Sequence, residues 1–288
     1  MFGEFDERLC LSVAAVALYL SGAPRTTTLP WGRWGNVERA LRIDLPRVSD
    51  ISPCLRDHGL TEEASAMEER GLLAWADLQI RQQRTLSIAD EDYPRRWRLT
   101  SAPFPAMWRR GRIQSDPGTA IILGESSQGR SIKAARACVF ATENPILVGD
   151  CPLLGQIFSP DTDSVIQITA SGLDVHCSRQ PCLSPAPPLQ GPCARFAAIR
   201  DHLILSAAER VLVFGASFRV GEAWNSAIGA LRMRELPVYV FDDGSQASRA
   251  LTALGALPFR DIAMKKAPAS VLNALPLNRA SAFAPLLP

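Results

Sequence analysis

Two glycine-bearing loops and a set of arginines are the parts of this sequence that could hold a ligand. The first loop reads Gly124-Glu125-Ser126-Ser127-Gln128-Gly129-Arg130-Ser131 and follows an apolar run at 120–123. Its two glycines permit a tight turn, while Ser126, Ser127 and Arg130 offer donors to a phosphate or to a nucleic-acid backbone. Glu125 would repel an anion unless it points away. The loop is neither a Walker loop, because no Gly-Lys-Ser/Thr follows, nor a GxGxxG turn. A second loop, Gly215-Ala216-Ser217-Phe218-Arg219-Val220-Gly221, follows the run at 211–214. Ser217, Arg219 and the amides around Gly221 suit an anion, and the plainer reading is a strand-to-helix turn with a solvated arginine. Glu222 comes next, either a general base for a hydrolase or an acid placed where the helix dipole favours it.

Other chemistry is sparse. The three histidines are His58, His176 and His202. His58 lies far in sequence from either loop, and His202 follows Asp201 in a helical segment, where a polar surface role is expected. No G-x-S-x-G, H-E-x-x-H or nucleotide-hydrolysis motif occurs. The seven cysteines include no C-x-x-C pair, and the group His176, Cys177, Cys182, Cys193 fits no standard zinc spacing. No metal or cofactor is expected, and the cysteines read as small buried hydrophobes.

The elements that would carry these loops follow from apolar patterning. Short apolar runs at 120–123, 145–148, 165–168, 211–214 and 238–241 alternate with helical stretches at 131–141, 197–208, 221–232 and 246–254. Such alternation predicts an α/β fold, a Rossmann-like parallel sheet with helices on both faces. In such a sheet ligands bind beyond the carboxyl ends of the strands, where both loops fall. Ahead of it, helical stretches at 37–43, 61–69 and 72–83 predict a small helical domain over 1–88. Residues 89–118 form a Pro/Arg-rich bridge in which Trp97, Phe104 and Trp108 interleave with Arg95, Arg96, Arg98, Arg109, Arg110 and Arg112. That mixture either binds single strands by charge and stacking or packs its aromatics inward and solvates its arginines. The Rossmann-like domain covers 119–262, with a five-proline loop at 178–192, and an Ala/Pro/Leu-rich tail covers 263–288.

With 288 residues, 47% hydrophobic and 21% charged, the chain is long enough for a sizeable core. The longest apolar stretch, 9–20, is short of the roughly 20 residues of a membrane helix and follows an acidic flank unlike a secretory signal. It predicts a buried helix in a cytoplasmic protein without a membrane partner. Net charge is +2 and pI about 8.2, too mild to prove a nucleic-acid partner. Lysine occurs only at Lys133, Lys265 and Lys266, so arginine supplies 28 of the 31 cations.

The order of several phrases resembles the DNA-processing protein A (DprA, or Smf) family. Asp92-Tyr93-Pro94, Pro103, Pro105 and Gly111 resemble its entry into the Rossmann domain. Ala170-Ser171-Gly172-Leu173-Asp174 resembles its Gly-Leu-Asp stretch, residues 200–215 its Arg-Asn-Arg helix and next strand, and Gly255-Ala256 its closing Gly-Ala. Departures are specific. Glu125 stands in the family's Gly-Ser-Arg loop, Gly149-Asp150-Cys151-Pro152 replaces a longer glycine-rich stretch, Arg200 is the one arginine kept from Arg-Asn-Arg, and Glu222 replaces a serine. The resemblance implies a SAM-like helical start and a non-enzymatic protein that holds single-stranded DNA with Arg130, Lys133, Arg200 and Arg219. It also implies phosphate contacts at Gly124, Ser126, Ser127, Gly129, Gly215, Ser217 and Gly221, a RecA-type recombinase as partner, and a homodimer. The wider Smf/DprA-LOG superfamily also contains nucleotide sensors and nucleosidases, for which Glu222 is the candidate acid or base. A scaffold role in a phage-defence complex is the third alternative. The tail is short for a winged helix, and none is expected.

Overall fold

The computed structural model describes residues 2–22, 34–44, 47–82, 84–98, 104–111, 113, 118–125, 127, 129–141, 145–158, 165–175, 180–233 and 236–259. The apolar N-terminal stretch forms α1 (Phe2–Gly22). A helix apolar on every face must be enclosed, and every residue from Cys10 to Tyr19 is at most 3% exposed. Around it pack α2 (Trp34–Asp44), α4 (Thr61–Glu68) and α5 (Leu72–Arg81), with α3 (Ile51–Asp57) between α2 and α4. The amphipathic α2 shows how the layer closes: Trp34, Val37 and Leu41 fall on one stripe at three- and four-residue spacing and are buried. Each such large side chain contributes about 1.5–3 kcal/mol on full burial.

The chain then enters a nine-stranded sheet. Its strands are β1 (Thr85–Ser87), β2 (Ala106–Arg110), β3 (Thr119–Leu123), β4 (Ile146–Val148), β5 (Val165–Ile168), β6 (Cys182–Ser184), β7 (Arg210–Phe214), β8 (Val238–Phe241) and β9 (Leu257–Phe259). The spatial order is β1-β2-β6-β5-β4-β3-β7-β8-β9. From β6 to β9 all neighbours are parallel, whereas β1–β2 and β2–β6 pair antiparallel. The helices are α6 (Arg95–Arg98), α7 (Arg130–Ala141), α8 (Leu154–Ile157), α9 (Ala194–Ala207), α10 (Gly221–Arg232) and α11 (Gln246–Ala253).

Period-2 alternation sorts the central strands between two cores. Ala120, Ile122, Val211, Val213, Val238 and Val240 join α9, α10 and α11. Ile121, Leu212, Phe214, Tyr239 and Phe241 face the other way, onto α7 and α8. The Rossmann-like α/β expectation therefore holds, with helices on both faces.

Four strands depart from the sequence reading, among them β2, which lies in the stretch expected to be a bridge. β1 lies inside the stretch expected to be helical, β9 was not foreseen, and β6 lies within the five-proline segment expected to be loop. Leu183 and Ser184 avoid the proline positions, so their amides and carbonyls can pair with β5 and β2. In the bridge, Trp97, Phe104 and Trp108 are all buried. Arg96 donates to the Ala208 carbonyl at 3.0 Å and to Glu209 at 2.7 Å, and Arg110 donates to the Leu173 carbonyl. The aromatics pack inward, as in the second reading of this segment, while Arg96 and Arg110 bond to the body of the protein where solvated arginines were expected.

The helical layer is fixed to the sheet at the end of α1. The Tyr19 ring meets Phe104 and Trp108 with centroids 5.0 and 5.5 Å away, and its hydroxyl donates to the Pro185 carbonyl. Nearer the middle of α1, the hydroxyls of Ser12 and Ser87 share a hydrogen bond of 2.7 Å. Among the described residues no helix is long and apolar enough to cross a membrane. The tail at 263–288 lies outside the described residues.

Candidate nucleic-acid interface

Strands β3 to β6 run outward in one direction from the centre, and β7 to β9 in the other. The reversal between β3 and β7 opens the crevice that ligands use in such sheets. The loops after β3, β4 and β7 meet there.

The loops after β3 and β7 are stitched together. The Gly124 amide donates to the Phe214 carbonyl at 2.8 Å, the Ser127 amide to the Gly124 carbonyl at 2.9 Å, and the Ser127 hydroxyl to the Phe214 carbonyl at 3.1 Å. A β-carbon on Gly124 would lie 2.0 Å from the Gly215 carbonyl oxygen, and one on Gly215 would lie 2.3 Å from Ser127 Oγ. These glycines let two backbones touch. The amides of Gly124 and Ser127, read from the sequence as phosphate contacts, are consumed inside the loop pair. Ser126 lies outside the described residues. Gly129 is exposed with φ of 41°, and its carbonyl accepts from the Lys133 amide at 3.1 Å inside the first turn of α7.

Arg130 and Lys133 lie exposed on that turn. On the neighbouring strand's loop, Ser217 and Val220 form an isolated bridge around Arg219, which is exposed with φ of 59°. Among the described residues it is the one non-glycine with positive φ, a conformation that costs energy and concentrates at working sites. Its guanidinium carbon sits 5.0 Å from the Phe218 ring centroid, and that ring meets Trp224 edge-on at 5.3 Å. Gly221, with φ of 82°, opens α10.

Arg200 behaves differently from the other predicted cations. It is 4% exposed on α9 and surrounded by carboxylates. Nη1 lies 3.3 Å from Asp150 Oδ2, and Nη2 lies 2.7 Å from Asp201 Oδ1 and 3.0 Å from Glu222 Oε2. Nε also donates to Asp201, at 2.8 Å. Burial acts to lower the Arg200 pKa, but the charge of Asp201, its hydrogen bond, Glu222 and Asp150 together hold it above the ordinary value. Its charge is matched inside the protein by these carboxylates. Outer partners hold the acids in turn: Asp150 accepts from the Ala170 amide at 2.8 Å and from Thr169 Oγ1 at 3.2 Å, and Asp201 accepts from Ser226 Oγ at 2.9 Å.

Above this network lies an open cleft of about 560 Å³, lined by Asp150, Cys151, Gln167, Ser171, Cys193 and Glu222 among others. Its size suits a small ligand. With Arg200 as its one cation against the carboxylates of Asp150 and Glu222, it favours groups that donate hydrogen bonds over a phosphate. Glu222 is marked in the sequence as a candidate acid, whereas Asp150 and Asp201 carry no motif that singles them out. The available signal was the place of Asp150, two residues past the carboxyl end of β4. His202 is exposed on α9, Cys182 is buried in β6, Cys193 is exposed, and His176 and Cys177 lie outside the described residues.

No family model and no curated protein matches the chain. Solved structures do. DprA from Streptococcus pneumoniae aligns over 90% of this chain and 93% of its own, at 16% identity and a TM-score of 0.50. DprA from Helicobacter pylori, whose structure is described in terms of a single-stranded DNA binding mode, aligns over 66% of this chain and 96% of its own, at 16% identity and a TM-score of 0.53. The fold is that of a Rossmann-like α/β protein. Within that class it is DprA-like.

Proposed function

We propose that this protein binds single-stranded nucleic acid along a rim made by Arg130, Lys133 and Arg219. The observation that carries this reading is Arg219, held in a left-handed conformation beside Phe218 at the top of β7, next to the strand that leads into Arg130 and Lys133. Cations supply phosphate affinity with little sequence preference, and the half-buried Phe218 ring beside them supplies an aromatic contact. The likeness to a DprA described as binding single strands supports the same reading. Arg200 is not part of this rim. It holds the cleft wall together. The reading is of a binding protein, with hand-over to a RecA-type recombinase and pairing of two copies as its finer parts.

Fluorescence anisotropy with a labelled single strand and a matched duplex, over a salt series, tests it. Each phosphate contact on a single strand contributes about 0.7 to the slope of log K against log salt, so Lys133→Ala with Arg219→Ala should flatten the slope by about 1.4. Unchanged affinity and slope in that double variant would remove the rim from the site.

The acidic cleft favours a second reading, a nucleotide-derived small ligand whose donors meet Asp150 and Glu222. In that case Glu222→Gln abolishes cleavage or binding of a nucleoside while strand affinity persists.

A further inference from the structure

Far from the cleft, in the helical layer, three potential metal ligands of three different types converge. Asp44 is the last residue of α2, Cys54 lies within α3, and His58 directly follows α3. Cys54 and His58 stand four residues apart, and the His58 amide donates to the Cys54 carbonyl at 3.1 Å. One helical turn therefore presents both side chains on the same face. His58 Nε2 lies 2.8 Å from Asp44 Oδ2, and Cys54 Sγ lies 3.8 Å from the same oxygen. All three donor atoms fall within 4.8 Å of one another.

We propose that Asp44, Cys54 and His58 form a binding site for a divalent transition metal, with zinc as the expected ion. Metal–ligand bonds of about 2.0–2.3 Å in tetrahedral geometry put neighbouring ligand atoms about 3.3–3.7 Å apart. The separations of 2.8 and 3.8 Å bracket that range. The ion replaces the His58–Asp44 hydrogen bond with a small opening of that pair. A thiolate, an imidazole and a carboxylate together suit zinc better than calcium or magnesium, which prefer oxygen alone.

Arg42 on α2 pairs with Glu38, and Arg56 on α3 pairs with Glu68. On binding, the Cys54 S–H bond breaks, the thiolate bonds the metal and the proton leaves to solvent. His58 coordinates through Nε2 with its proton on Nδ1. Cys54 is buried, while the Asp44 and His58 side chains are 50% and 29% exposed, so the fourth position opens toward water. The bound ion joins the end of α2 to the end of α3.

The test uses the full chain, stripped with chelator and kept reduced, titrated with cobalt and then with zinc. Cobalt reports a thiolate ligand through a sulfur-to-metal charge-transfer absorption and tetrahedral geometry through its visible bands. The expected result is a saturable one-to-one signal, displaced by zinc and lost in Cys54→Ser. His58→Ala, an exposed change whose fold circular dichroism verifies, weakens cobalt binding by more than about 100-fold, since even outer partners of metal ligands cost 10–100-fold. No charge-transfer band in the wild type, a band that persists in Cys54→Ser, or full affinity in His58→Ala overturns the site.

Discussion

Arg200 Nη2 and Glu222 Oε2 lie 3.0 Å apart and tie α9 to the first turn of α10 across the wall of the cleft. The two ends of this contact are unequal. The Arg200 side chain is 4% exposed and that of Glu222 is 65% exposed. Removing the arginine leaves three carboxylates facing one another without a cation, whereas removing the Glu222 charge leaves Arg200 still paired with Asp150 and Asp201. Arg200→Leu should therefore cost about 3–5 kcal/mol, the range for breaking a buried pair from one side. Glu222→Gln should cost at most about 1 kcal/mol. Urea denaturation of both variants checks this, and equal losses would show that the network does not centre on Arg200.

The contact of the β3 and β7 loops makes a sharp distinction between two glycines. Ala at Gly124 brings a β-carbon within 2.0 Å of the Gly215 carbonyl oxygen, with backbone on both sides and no flexible group to yield. Ala at Gly129 meets nothing within 4 Å and strains only its φ of 41°. Gly124→Ala is expected to lose at least about 1–3 kcal/mol, as overpacking does. Gly129→Ala should lose about 1 kcal/mol or less. Thermal unfolding of the pair decides between them, and similar midpoints would refute the close approach.

Buried thiols give the protein an alkaline limit. Burial pushes Cys10, Cys138 and Cys182 up from 9.0 to about 12 each. A folded pKa above the unfolded one means the folded state keeps its proton longer. The associated stability is complete below pH 9 and is lost as pH rises toward 12. Once the unfolded thiols ionise, each contributes a slope of about −1.4 kcal/mol per pH unit. Denaturant midpoints measured under reducing conditions from neutral pH through that window should fall, and Cys138→Ala should make the fall shallower. A flat profile above pH 9 would contradict the burial of these thiols.

Much of the architecture was written in local patterns. The runs at β3, β4, β5, β7 and β8 are apolar enough to demand burial on both faces, and the helical stretches between them leave a parallel sheet as the arrangement. Likewise the apolar run at 9–20 within α1 is too apolar for a surface and too short to span a membrane, so it had to be the centre of a helical layer.

What the local pattern lacked was pairing. β1, β6 and β9 are three residues each, and such a strand exists because a neighbour supplies its hydrogen bonds. Cys182, Leu183 and Ser184 carry no strand signal among their prolines. They form one because β5 and β2 lie on either side.

The sites divide in the same way. From sequence alone, arginine, glycine and serine at strand ends could be recognised as the vocabulary of a phosphate contact. Whether each was free to make one depended on residues distant in the chain. Asp150 and Glu222 lie 50 and 22 residues from Arg200, and their convergence turns a candidate ligand donor into an internal counter-ion. Gly124 and Gly215 meet backbone to backbone although 91 positions separate them in the sequence. Hydrophobic periodicity is a short-range property, and it determined the elements and their layers. Charge neutralisation, loop contact and metal-ligand geometry act through space, so only the tertiary structure decided which polar residues remain available.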